Sequence, residues 1–188
     1  MLTSPGWRID TRRALSLASY GGGAIGGGAL IASLLWLSGG LFEPLSRPTK
    51  LWILVAAALI GVARDARIVR FPLPQNRRLV PQTVFGRGRI RGPLQFGFEM
   101  GTGLRTYISS TAPYVLALAV PLLARSIGAA LLAGAGFGLG RSVLPWSRQA
   151  SKDGSVWDLK AAQRMTWIPW ATALYQLPTW VFLTRLSA

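Results

Sequence analysis

The sequence predicts an all-α fold: a polytopic membrane helix bundle of about five transmembrane helices. Three observations carry that prediction. From Ala14 to Phe42 no side chain is charged. Further charge-free windows follow at 51–63, 106–124, 126–140 and 165–184. Of the 188 residues, 51% are hydrophobic, more than a soluble domain of this length needs. A spanning helix requires about 20 apolar residues, because the hydrocarbon core is roughly 30 Å thick and a helix rises about 1.5 Å per residue. A single integral membrane domain over 1–188 is expected. The longest polar segments, 64–93 and 145–164, are too poor in apolar residues to bury cores of their own.

The first span, 14–38, follows Arg8, Arg12 and Arg13. Its apolar run exceeds the roughly 7–15 residues of a signal-peptide core, and no A-x-A site follows, so it reads as a retained span. The second span, 49–66, comes after the short loop EPLSRPTK at 43–50. The basic loop 64–93 holds Arg64, Arg67, Arg70, Arg77, Arg78, Arg87, Arg89 and Arg91 against one acid, Asp65. Pro72, Pro74, Pro81 and Pro93 prevent one continuous helix there. The third span is placed at 96–124, and a minimal turn at Arg125–Ser126 leads to the fourth, 126–144.

The second loop, 145–164, sets Arg148, Lys152, Lys160 and Arg164 against Asp153 and Asp158. The fifth span, 165–185, is kinked by Pro169 and Pro178, and Gln176 is expected to bond another helix. The cores 51–63 and 126–140 are short and need snorkelling flanks or a locally thinner bilayer. The alternative is four spans plus one re-entrant or interfacial segment.

Lys and Arg total 21 against 6 Asp and Glu, a net charge of +15. Because the cations sit between apolar runs, they imply the positive-inside rule and anionic lipid headgroups, not nucleic acid. The N-terminus, 64–93 and 145–164 are then cytoplasmic. The loop 43–50, Arg125 and the C-terminus lie outside a cell membrane crossed several times. Tryptophans favour the headgroup level. Trp36, Trp52 and Trp180 fall at the outer face, and Trp7, Trp146, Trp157 and Trp167 at the inner.

The chain has no cysteine and no histidine. Thiol–disulfide chemistry and zinc, haem or iron–sulfur ligation by those residues are excluded, and no cofactor is expected. Nucleophilic hydroxyls lack the familiar bases, and Lys50, Lys152 and Lys160 all lie in loops, so the reading leans away from an enzyme.

Two stretches stand out. GGGAIGGG (Gly21–Gly28) offers small residues four apart at Gly22/Gly26, Gly23/Gly27 and Ala24/Gly28, and Gly134, Gly136, Gly138 and Gly140 repeat the theme. Such spacing lets helix backbones approach closely, within the protein or in a homo-oligomer. No GK[ST] follows, so this is not a phosphate-cradling loop.

The other stretch is 94–114, LQFGFEMGTGLRTYISSTAPY. Glu99 and Arg105 are ionisable in or beside a span, with Thr102, Thr106, Ser109, Ser110 and Thr111 extending the polarity. On a straight helix Glu99 and Arg105 stand about 240° apart, so they meet only if the GTG at 101–103 is unwound. The other reading has both charges snorkelling at the cytoplasmic interface.

The run G-x-E-x-G-x-G-x-R and the following Ala-Pro, within residues 96–123, resemble a segment of small actinobacterial membrane proteins grouped with the MauE and CcdA types. That resemblance implies a shared small bundle scaffold and a role in electron or thiol transfer or in protein maturation. This chain lacks the cysteines of a thiol relay, so the chemistry is not carried over, and no site residue is transferred.

Two functions are expected. One is a small transporter or channel-like protein lined by Glu99, Thr102, Arg105, Thr106, Ser109, Ser110 and Thr111. Arg105 would bind an anionic group, and Glu99 would be the proton-linked or gating acid. The other is a non-catalytic membrane subunit or assembly factor whose glycine faces dock partner helices. Homo-oligomers or a larger membrane complex follow from either.

Overall fold

The computed structural model describes residues 13–74, 88–104, 110–151 and 154–165. Among them every regular element is helical. The helices are α1 (Arg13–Leu37), α2 (Arg47–Asp65), α3 (Arg91–Thr102), α4 (Ala112–Leu123), α5 (Ile127–Ala150) and α6 (Gly154–Met165), with a 3-10 turn at Ser38–Phe42. They fall into two compact units, one holding α1 to Leu34 with α3 and α5, the other holding the 3-10 turn, α2, α4 and α6 from Ser155.

In the first unit α1 meets two neighbours along two stripes of small residues. A Cβ on Gly23 would strike the Leu94 carbonyl, and one on Gly27 the Phe98 carbonyl. From the other side, Gly97 lies on the Tyr20 carbonyl and Gly101 on that of Ala24. The second stripe runs along α5, where Gly28 meets Gly134 and Gly138 meets Ala24. As α1 numbers rise, α3 numbers rise and α5 numbers fall, so α1 is parallel to α3 and antiparallel to α5. With no side chains between them, the backbones come close enough for dispersion and weak Cα–H···O contacts. Trp146 closes one end, its Nε1 donating to the Leu17 carbonyl at 3.2 Å.

In the second unit Ser46 caps α2, its hydroxyl accepting the Thr49 N–H at 3.4 Å, with proline in the first turn. Leu54, Ala58 and Gly61 are buried three or four residues apart on one face. Gly61 leaves room for Thr111 and Val115 of α4, so α2 and α4 run antiparallel. Gly39 in the 3-10 turn lies against Pro121 of α4.

Two helices are long and apolar enough to cross a membrane: α1 continued through the turn, Ala14–Phe42, and α5 over Ile127–Gln149. The expectation of five spans therefore meets only two such helices among the described residues. The second expected span is α2, whose ends carry Arg47, Lys50, Arg64 and Asp65. The third, 96–124, is not one helix, because Gly103 adopts φ 70° and ends α3, and α4 begins only at Ala112. At 12 residues α4 is apolar, but at about 1.5 Å per residue it is shorter than the bilayer core. The fourth extends beyond 144, since α5 runs to Ala150. Helix α6 occupies most of the rest of 145–164, which was expected to be a loop. The fifth expected span, 165–185, lies outside the described residues apart from Met165 at the end of α6.

Candidate functional site

The polar stretch has described residues in both units, 94–104 in the first and 110–114 in the second. On the first unit's side, Gln95 donates from Nε2 to Oε1 of Glu99 at 3.0 Å, one helical turn away. The Thr102 hydroxyl donates to the Glu99 carbonyl at 2.8 Å. It also lies 3.4 Å from the Leu104 N–H, which it can accept. Thr102 thereby takes up backbone groups that the helix end leaves unpaired. Gly103 follows in the left-handed conformation, its N–H donating to the Met100 carbonyl at 3.3 Å. Glu99 is half-buried. Of the GTG at 101–103, Gly101 and Thr102 remain in α3 and only Gly103 leaves the helix. Arg105, Thr106 and Ser109 lie outside the described residues.

Ser110 and Thr111 sit in the second unit and are already engaged. The Ser110 hydroxyl donates to Oδ2 of Asp65 at 3.0 Å. The Thr111 hydroxyl donates to the same oxygen at 2.9 Å, and the Thr111 N–H does so at 2.8 Å. Arg64 Nη1 holds Oδ1 at 3.0 Å. Only 5% of the Asp65 side chain is exposed. A carboxylate accepting four donors is satisfied in a way that allows a charge to be buried.

These two hydroxyls, expected to line a substrate path, both donate to Asp65. Sequence reasoning missed Asp65, placing it in a basic loop. A signal existed: one acid stands at the end of an apolar helix amid eight nearby arginines, and a lone acid there needs a specific partner.

Four of the expected packing glycines, Gly23, Gly27, Gly134 and Gly138, lie at helix contacts. Gly22 and Gly26 face away, with open space where a Cβ would stand, as do Gly136 and Gly140 on α5. Among the described residues no three acidic side chains gather where they could hold a metal ion.

No family model, curated protein or solved structure matches this chain.

Proposed function

We propose that the chain is a multi-pass integral membrane protein, transporter- or channel-like, with a polar intramembrane site around Glu99 and Arg105. The observation that carries this reading is the end of α3 at Gly103. A segment whose composition asks for one long span is interrupted at Gly103, just past Glu99 and Thr102. Interrupted helices free backbone groups, and in many transporters such breaks form the midplane site.

The membrane setting is supported by exposure. Only 17% of the apolar window in α1 and 22% of that in α5 is buried, leaving residues such as Leu34, Leu37 and Leu132 in need of an apolar surrounding. Helix directions support it as well. Alternating spans with a cytoplasmic N-terminus require the first and third to be parallel and the fourth antiparallel to both. On this reading the likeness to MauE- and CcdA-type proteins extends to the scaffold alone.

The absence of cysteine makes the test direct, since a single introduced thiol is the only one present. Thr102→Cys, Thr106→Cys and Ser109→Cys in native membranes should react with a water-soluble thiol reagent. Leu132→Cys, on the exposed face of α5, should not. Three unreactive polar positions would leave no wet pathway and end the transporter reading.

A second reading, a non-catalytic membrane subunit or assembly factor, draws on the uncovered pairs Gly22/Gly26 and Gly136/Gly140. It calls for a stoichiometric partner. Native mass of the protein released in mild detergent separates a foreign complex from a lone monomer or homodimer.

A further inference from the structure

Helix α2 ends in a way its residues do not favour. The Arg67 N–H donates to the Arg64 carbonyl at 2.9 Å, and the Ile68 N–H to the Ala63 carbonyl at 2.9 Å. These two bonds close a Schellman motif whose left-handed position is held by Arg67, at φ 63°, and not by glycine. In that motif an apolar residue at the next position commonly packs back on the helix. Ile68 does not, being 79% exposed. Val69, whose N–H also reaches the Ala63 carbonyl at 3.3 Å, is exposed too, and so is Phe71. Every residue from 67 to 72 is exposed.

The segment is nevertheless tied at both ends. The Schellman bonds hold it to α2. At its far end the hydroxyl of Tyr114, in the first turn of α4, donates to the Pro74 carbonyl at 2.8 Å. Between these ties Ile68, Val69 and Phe71 stand out with Arg67 and Arg70 among them, and no acid occurs from 66 to 74. Neighbouring large apolar side chains held outward mark an interaction surface. Interleaved with arginine, they match a surface that is apolar below and anionic above, which is the boundary of an anionic bilayer.

We propose that residues 67–71 form a membrane-surface anchor for anionic phospholipid. Ile68, Val69 and Phe71 enter the boundary between acyl chains and headgroups. Arg67 and Arg70 hold the lipid phosphates, the guanidinium forks matching pairs of phosphate oxygens. The depth fits. At 19 residues α2 is about 28 Å long, close to the roughly 30 Å of a hydrocarbon core. Trp52, Leu59 and Ile60 are exposed along it. A chain leaving such a helix enters the headgroup layer at once. The anchor rests on the multi-pass reading, with α2 as a span, and not on the polar site around Glu99 and Arg105. Charge alone implies headgroups anywhere along 64–93. Exposure narrows the contact to five residues and adds its apolar part.

The test uses the full chain, which has no cysteine of its own. Ile68→Cys carries an NBD fluorophore at the anchor, and Leu132→Cys carries one on the exposed face of α5. Each protein is reconstituted into phosphatidylcholine vesicles with the same small fraction of acyl-spin-labelled phosphatidylglycerol or acyl-spin-labelled phosphatidylcholine, and quenching is read. Both lipids should quench the Ile68 label, with phosphatidylglycerol preferred by about fivefold for each arginine. Combining Arg67→Gln and Arg70→Gln with Ile68→Cys should remove that preference. The two lipids should quench the Leu132 label alike. If Ile68→Cys does not fold, Phe71→Cys reports in its place.

A quenched Leu132 label beside an unquenched Ile68 label would overturn the anchor and leave the membrane reading standing, the segment then facing water or another protein. An unquenched Leu132 label would end the membrane reading and the anchor with it. Equal quenching of the Ile68 label by the two lipids, or a preference that survives the loss of both arginines, would overturn the assignment to anionic headgroups.

Discussion

The carboxylate of Asp65, in the last turn of α2, accepts the backbone N–H of Thr111 at 2.8 Å. Thr111 is the N-cap residue of α4, and its own side chain makes no capping bond there. The cap of α4 is thus supplied by another helix. A negative charge at a helix N-terminus also meets the positive end of the helix dipole.

Asp65→Ala should therefore be among the most damaging single changes in the second unit. It removes the acceptor that Arg64, Ser110 and Thr111 share, and breaking a buried charged cluster from one side costs about 3–5 kcal/mol. Ser110→Ala removes one neutral donor and should cost about 1 kcal/mol. Thermal unfolding in mild detergent measures both. Equal stability of Asp65→Ala and the parent would show that the cluster holds nothing.

The glycine stripes make opposite predictions on their two sides. Gly97→Ala and Gly138→Ala place a methyl on a backbone carbonyl of α1, which must retreat. Overpacking of this kind costs about 1–3 kcal/mol. Gly26→Ala meets open space and should be neutral or stabilising by up to about 1 kcal/mol through helix propensity. The same thermal assay ranks them. If Gly26→Leu leaves the monomer folded but lowers the native mass, the outward glycine face is an assembly surface.

Two helix ends carry left-handed residues of opposite character. Gly103 ends α3 at φ 70°, where alanine should cost about 1 kcal/mol. Arg67, just past α2, holds φ 63° despite its side chain. Arg67→Gly should stabilise by about 1 kcal/mol, since the strain disappears while the Ile68 N–H still reaches the Ala63 carbonyl at 2.9 Å. Opposite shifts in Tm for the two variants are the expected result. A loss of stability in Arg67→Gly would mean that the arginine side chain outweighs its backbone strain.

Much of the helical content was legible beforehand. The charge-free run from Ala14 needs no tertiary contact to become α1, and Ser126 opens α5 by accepting the Ala129 N–H at 3.2 Å, a local bond. The region from 94 to 124 was legible only as composition. Its apolar length asks for one span, but Gly101 and Gly103 weaken the helix where Thr102 competes for backbone groups. Asp65 was hidden because its partners stand 45 and 46 residues away in the chain.

By itself, then, the sequence determined the helical class, the two long apolar segments and the four-residue glycine spacing. These depend on periodicity and on near neighbours along the chain. Tertiary structure alone decided that Gly23 and Gly27 are covered while Gly22 and Gly26 are open. It also decided that Ser110 and Thr111 serve a carboxylate, and that the Tyr20 hydroxyl is buried with no hydrogen-bond partner among the described residues. A helix presents every face equally until a neighbour packs on one, and the chain's local order does not say which face the neighbour takes.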